Sequence, residues 1–439
     1  MRARLETFAA EVFSCFARAD QRRWGERYVR GLLTDGARKS MEPMAARLGV
    51  DRQGLQQFLT DAPWSHQLVL AELAWRMDTA INPAAWVVDD VSFVKDGEES
   101  PGVAPQYCGA LGKTANCQVA PSVHLVTDVA SCPVNWRLFV PEGWDAASPR
   151  TEDSAAVAAR RQRARIPADI THVPKWQLAL DMIDELCCWG LEAPLVVADE
   201  GYGQDGAFRL GLTERGIGYV VGVRSDTALL GIDACRTVAP YAGTGRRPVP
   251  RYRDKPRSAQ QIVTAAGRRA LHAVTWRAGS KGPLRSRFVA LRVRPQGYGS
   301  AARTWARICR CAGCWPNGHL VSEPTKYWLS TLPADIPLRR LVRLAKIRWR
   351  IEHDYRELKT GLGLDHFEGR TWSGWHHHVT LASVAHAFCT LERLDPKVRS
   401  CGLSTYRIIA ELQLLLACWA GICPTCRRAL PRHAQPVPT

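Results

Sequence analysis

The sequence predicts an α/β protein, a mixed-sheet core preceded by a helical N-terminal domain and interrupted by a β-rich insertion. Three observations lead there. The first eighty residues carry their apolar positions at helical spacing. The short apolar runs AWVVDD and PLVVADEG are then separated by the helix-patterned KWQLALDMIDELCCWG, a strand–helix–strand rhythm. From about Asp226 to Lys326 that rhythm gives way to Arg-, Gly- and Pro-rich sequence in which LHAVTWRAG and SRFVALRVRP read as strands around a Gly279–Pro283 turn. The expected divisions are 1–80 (helical), 81–225 (first part of the core), 226–326 (insertion), 327–395 (remainder of the core) and 396–439 (a helical segment and basic tail).

In chain order, Phe8, Val12, Phe13 and Phe16 fit one helix face. MEPMAARLGVDRQGLQQFLTDAPW reads as two short helices around Gly49, the second capped by Asp51, an arrangement found in helix-turn-helix units and in plain helical packing alike. Arg22, Arg23, Arg27, Arg30, Arg38 and Lys39 are its candidate phosphate contacts. AWVVDD, CQVAPSVHLVTD, VNWRLFVP, PLVVADEG and IGYVVGV are strand candidates. The arginine–alanine stretch Ala155–Arg165 leads to KWQLALDMIDELCCWG, a helix with Leu178, Met182 and Leu186 on one side; AFRLGLTERG is a helix or turn. In the insertion, Trp276–Arg277 and Trp305 with Arg303 and Arg307 pair aromatic rings with guanidiniums, which can stack on unpaired bases while holding the backbone. After Pro337, LRRLVRLAKIRWRIEHDYRELKTGLG reads as one long helix ended by Gly361 and Gly363, and GWHHHVTLASVAHAFCTLERL as another.

A formal charge of +17 fits a polyanionic partner, because Lys and Arg release counterions on meeting phosphates. The start MRARLETFAAEVFSCFARAD is broken by Glu6, Glu11, Arg18 and Asp20, unlike a signal peptide, and no run of eighteen apolar residues suggests a membrane span. Fifteen scattered cysteines suit a reducing compartment. Cys311/Cys314 and Cys423/Cys426 have zinc-like pairing but lie more than a hundred residues apart, and make the weaker metal candidate. Gly109, Gly112 and Lys113 lack full phosphate-loop spacing.

The stronger candidate is acidic. Asp89–Asp90 and Asp199 each end a short apolar run, and Glu352 stands in the basic C-terminal helix. Carboxylates at the ends of separate strands can converge at one sheet edge, and three of them suit hard Mg²⁺; two ions can activate a nucleophile and stabilise the leaving oxygen, with Mn²⁺ as a substitute. Adjacent strand residues face opposite ways, so one of Asp89 and Asp90 reaches the ions, with Asp90 the runner-up. Arg348 and Glu352 are four apart and Lys359 returns to that face, placing two cations to hold the DNA backbone; Asp354 and Glu357 are the rival carboxylates. His376–His378 fan around a helix and fit the core or a DNA-lining face better than a metal site.

VVDD, VVADEG and RWRIEHDYRELK resemble the active-site segments of DDE transposases from bacterial insertion sequences. The resemblance extends through QYCGALGKTANCQVAPSVHLV, WRAGSKGPLRSRF, YWLSTLP and LGLDHFEGRTWSGWHHH, most of residues 30–390. The family's glutamate signature is a tyrosine, an arginine after two intervening residues, a glutamate after three more and a lysine after six; Arg348, Glu352 and Lys359 match, with Ala345 at the tyrosine position. Its first aspartate commonly has a threonine two residues on, where Asp89 has Val91; Asp90, followed by Val91 and Ser92, fits the looser pattern. The resemblance implies an RNase H-like catalytic core carrying a β-rich insertion. It also implies a transposase that cleaves insertion-sequence ends and joins their 3′-hydroxyls to target DNA, commonly through a hairpin-ended intermediate. The implied partners are double-stranded DNA with terminal inverted repeats, target DNA and a second protomer on paired ends, in a cytoplasm and its nucleoid. A nuclease without strand transfer and a domesticated DNA-binding regulator are the alternatives.

Overall fold

The computed structural model describes residues 2–249, 251–279, 282–295, 306–312, 326–399, 405–419 and 428. The chain forms two compact units: Met1–Pro83, Asp89–Glu192 and Arg350–Thr439 make the first, Ala84–Val88 and Ala193–Trp349 the second.

The first unit opens with helices α1 (Arg2–Val12), α2 (Ala19–Leu33), α3 (Met41–Leu48), α4 (Arg52–Thr60) and α5 (His66–Ile81). The two short helices around Gly49 are there. Gly49 ends α3 at φ 63°, a left-handed conformation that favours glycine, and the Asp51 side chain caps α4 by accepting from Gly54 N–H. Strand β1 (Ala85–Val94) gives its second half to this unit, beside β2 (Ala104–Cys108), β3 (Lys113–Val126) and β4 (Ser131–Trp136). β3 lies between β1 and β2 and also pairs with β4; the β2–β3 and β3–β4 pairings are antiparallel. α6 (Ser154–Arg163) and α7 (Lys175–Cys188) follow; the buried face of α7 runs through Ala179, Met182, Ile183 and Leu186, one position round from Leu178.

The second unit contains the parallel core. β5 (Val196–Ala198) lies between the first half of β1 and β6 (Tyr219–Val223), all three parallel, with α8 (Glu200–Gly203) and α9 (Gly206–Glu214) in the β5–β6 crossover. Trp86–Val88, Val196–Ala198 and Tyr219–Val221 are all buried, which is why these strands read as uninterrupted apolar runs. β7 (Ala228–Gly231), the ribbon β8 (Arg236–Thr237) with β9 (Arg251–Tyr252), β10 (Arg257–Ser258), α10 (Ala259–Ala265), β11 (His272–Gly279), β12 (Gly282–Pro295), β13 (Ala306–Ala312) and β14 (Lys326–Ser330) build the strand-rich insertion and its return. Their order is β10-β7-β12-β13-β14-β6, antiparallel throughout, with β11 closing a hairpin on β12. A helical N-terminal region followed by a mixed sheet with inserted strands is the predicted class, consistent with an RNase H-like fold.

The single long helix after Pro337 is corrected. The chain forms α11 (Leu338–Lys346), breaks, resumes as α12 (Trp349–Arg356) and widens into a π turn over Glu357–Gly361. Ile347 N–H bonds the Leu344 carbonyl, an i→i−3 closure that ends the first helix. Periodicity misses a two-residue break because Leu341, Leu344, Ile347, Ile351 and Leu358 are all buried at spacings compatible with one helix. α13 (Trp372–Leu394) is buried almost throughout, including all three histidines of the triplet; α14 (Pro396–Arg399) and α15 (Thr405–Trp419) follow it. Among the described residues no helix is long and apolar enough to cross a membrane. Cys314, Cys423 and Cys426 lie outside the described residues.

Candidate active site

Asp89 and Asp90 stand midway along β1, in the first unit. Asp89 is 8% exposed and accepts a 2.9 Å hydrogen bond from Asp90 N–H. Asp90 is half-buried and ion-paired with Lys175 at the start of α7. Further along β1, the Lys359 ammonium donates to the Ser92 carbonyl at 2.6 Å and lies over the Phe93 ring. Burial pushes the Lys359 ammonium below its usual range, against the pull of Asp365. Glu352 is exposed in the first turn of α12.

Asp199 belongs to the second unit and leaves β5 as the N-cap of α8. Its Oδ1 accepts from Gly201 N–H at 2.8 Å and Tyr202 N–H at 3.4 Å, while Oδ2 is 3.0 Å from Arg348 Nη1. Two glycines permit this turn. A Cβ on Gly222 of β6 would stand 2.8 Å from the Glu200 nitrogen, and one on Gly203 would stand 2.0 Å from the Gly222 carbonyl. The backbone that aims Asp199 therefore rests directly on β6. Arg348, expected one helical turn from Glu352 on a continuous helix, lies in the break before α12 and pairs with Asp199. No spacing in the chain signals that pairing, or the pairing of Lys175 with Asp90.

The other predicted contacts are placed variously. Arg23 is exposed, and Arg22 donates to the Phe16 carbonyl and, at 3.4 Å, to that of Ala17. Arg27 lies over Trp24, Arg30 is 3.9 Å from Glu26 and Arg38 pairs with Glu368. Lys39 is 2% exposed, with its ammonium on the Thr34 carbonyl; burial, then the charge of Arg47, pushes it down to about 8. In the insertion hairpin Trp276 packs edge-on against Phe288, Arg277 stacks 3.6 Å from the Trp349 ring centre, and Lys346 lies over both Trp276 and Trp328. Trp305 and Arg303, and the side chain of Arg307, lie outside the described residues.

Among the described residues one group of acidic and histidine side chains is close enough to hold a metal ion: Asp354, Glu357 and His386, in the first unit. Asp354 and Glu357 are the two carboxylates that helix spacing ranked behind Glu352. Asp354 is buried, with His124 Nδ1 at 2.9 Å from Oδ2 and Ser131 Oγ donating to Oδ1 at 2.6 Å. Burial alone would raise its carboxyl; the His124 hydrogen bond, then the charges of His386, His124 and Arg350, outweigh it and hold the group at about 2. Nothing in sequence spacing signals His124, Ser131 or His386, which come from a strand, a strand start and a buried helix.

The sequence profile of the DDE superfamily endonuclease family matches residues 11–283, more than half of the chain, and takes in both aspartate segments. The chain is also 29% identical over 206 residues to a probable transposase for insertion sequence element IS701 from Microchaete diplosiphon. That match covers 45% of this chain and 47% of the relative, so it spans about half the length of each. With the family profile matching more than half of the chain, the protein belongs to the DDE superfamily endonucleases.

Proposed function

We propose that the protein is a DNA transposase that cleaves insertion-sequence ends and joins the released 3′-hydroxyls to target DNA, with Asp89, Asp199 and Glu352 holding two Mg²⁺ ions. The observation that carries this reading is the parallel register of β1 and β5. Val88 pairs with Ala198, and the residue that follows each of them is an aspartate, Asp89 within β1 and Asp199 just past the end of β5. Oxygen-only donors of this kind suit a hard cation, and the Asp199 carboxylate already has a positive partner in Arg348. Bound Mg²⁺ would supply Lewis-acid activation of the attacking oxygen and stabilisation of the leaving one; Mn²⁺ would serve in its place.

The chain's own residues divide the remaining work. Asp89 is the favoured first ligand, because Asp90 is neutralised by Lys175. Arg348 keeps Asp199 oriented and presents a planar fork that suits phosphate oxygens on DNA binding. Lys359 steadies β1 just beyond the aspartates through the Ser92 carbonyl. Arg23, Arg27, Arg38 and the Trp276–Arg277 hairpin supply backbone and base contacts, and two protomers hold two inverted-repeat ends.

The test uses purified full chain, DNA carrying the terminal repeats and a supercoiled target. Asp89→Asn, Asp199→Asn and Glu352→Gln should each lower Mg²⁺-dependent cleavage by about 10³-fold, ~4 kcal/mol of barrier, with DNA binding retained. Full cleavage by Glu352→Gln would sink the assignment, and full cleavage by Asp89→Asn with loss in Asp90→Asn would move the first ligand by one residue. Wild-type cleavage without joined products would make the protein a nuclease; binding without cleavage would make it a regulator.

A further inference from the structure

The catalytic reading leaves Asp354, Glu357 and His386 unused. They come from the end of α12, the start of the π turn and the middle of α13, and their ligand atoms lie within 4.8 Å of one another. His386 is 1% exposed, and neither of its ring nitrogens has a hydrogen-bond partner among the described residues. Its Nε2 is 3.4 Å from Glu357 Oε2 and 3.7 Å from Asp354 Oδ1, too far for a good hydrogen bond to either. Carboxylates offer only lone pairs, and a neutral imidazole has one N–H at most. A buried imidazole nitrogen without a hydrogen-bond partner, facing one oxygen of each of two carboxylates, is a donor set that a single cation can bridge. Tetrahedral ligands at ~2.0–2.1 Å from zinc stand about 3.3 Å apart, close to the spacing here.

We propose that Asp354, Glu357 and His386 bind one structural transition-metal ion, Zn²⁺ or Mn²⁺, separate from the catalytic carboxylates. The imidazole favours these ions over Mg²⁺, which takes oxygen ligands. Asp354 is prepared for the role: His124 and Ser131 fix its orientation, as outer partners do for metal-bound carboxylates. Arg350 and Arg393 lend positive charge to the same carboxylates and temper the affinity, yet neither bonds the His386 nitrogens. The ion ties the α12–π-turn segment that carries Glu352 to α13 and, through Asp354, to β3 and β4. A π turn at this point is a local departure from α-helix of the kind that often accompanies a functional site.

The test strips the full chain with chelator, returns it to excess Mg²⁺, and adds Zn²⁺, Mn²⁺ or Co²⁺. Retained ions per chain, the visible spectrum of bound Co²⁺ and the melting temperature are read. Wild type should retain one Zn²⁺ against Mg²⁺ and melt higher with it. His386→Asn and Glu357→Gln should each weaken retention at least 100-fold, and His124→Gln about 10–100-fold. Asp89→Asn and Glu352→Gln should retain the ion normally, so failure of the catalytic assignment and failure of this site are separable. Should His386→Asn misfold, Glu357→Gln and the wild-type Co²⁺ spectrum decide. A spectrum without sulfur-to-metal charge transfer supports the site. Sulfur-ligated Co²⁺ alone, no retained ion, or retention untouched in Glu357→Gln would overturn it.

Discussion

Asp199, a ligand in the proposed catalytic site, is also a structural residue. One carboxylate oxygen caps α8 and the other faces Arg348, so the group is fixed by backbone N–H donors before any ligand arrives. Replacing Arg348 with alanine removes a charge partner; replacing it with lysine keeps the charge and loses the fork. Both variants should cleave about 10–100-fold more slowly, and the alanine variant's DNA affinity should fall less steeply with salt, by about one in the log–log slope. Identical slopes and rates would make Arg348 a purely structural partner of Asp199. Asp354 is the contrasting case, a buried carboxylate committed to His124 and Ser131. Asp354→Asn strands those partners and should cost about 3–5 kcal/mol in urea unfolding. A change under 1 kcal/mol would show that the network contributes little.

At the scale of elements, the β5–α8 turn is the most exacting. Gly222 sits against the Asp199–Glu200 backbone, and backbone cannot rotate out of the way of a new Cβ as a side chain can. Gly222→Ala should cost about 1–3 kcal/mol and lower cleavage while leaving DNA binding. Gly109→Ala, where a Cβ meets nothing within 4 Å, is the matched control and should be silent. Equal stability and activity in both variants would remove the turn from the account. α13 carries a different liability. His378 is satisfied as a neutral ring, with Tyr28 Oη 2.9 Å from Nδ1 and the Gly363 and Leu364 carbonyls 3.1 Å from Nε2. Burial pushes it down to about 4, with the two carbonyls resisting. From the ordinary value of 6.5 down to about 4, the unfolded chain binds a proton that the folded chain refuses. Stability therefore falls with pH across that window, by up to about 1.4 kcal/mol per unit from this group. Unfolding free energies at several pH values should show it, and His378→Gln should flatten the slope; an unchanged slope would assign the acid sensitivity elsewhere.

For the whole molecule, a charge of +17 predicts that binding to the proposed DNA partner is a counterion-release reaction, strong at low salt and weak at high. The proposed joining of two element ends calls for two chains. The end-bound complex should have the mass of two protomers with two DNA ends, measured by light scattering or native mass spectrometry. A monomeric complex that joins paired ends would refute the dimer and leave the metal ligands as proposed.

The sequence by itself determined the elements whose patterns are local. Uninterrupted apolar runs marked the parallel strands because both of their faces are buried, and Gly49 with Asp51 marked the α3–α4 turn through backbone freedom and capping. It singled out the aspartates proposed as catalytic metal ligands, since an acidic residue directly after Val-Val or Val-Ala stands out chemically in so basic a chain. Only the tertiary structure decided partners. Lys175 on Asp90, Arg348 on Asp199 and His386 beside Asp354 join residues separated by 85, 149 and 32 positions, and no periodicity encodes such distances. The break before α12 was hidden for a related reason. Burial set the apolar spacing of the two helices alike, while a backbone closure at Ile347, invisible to side-chain pattern, parted them.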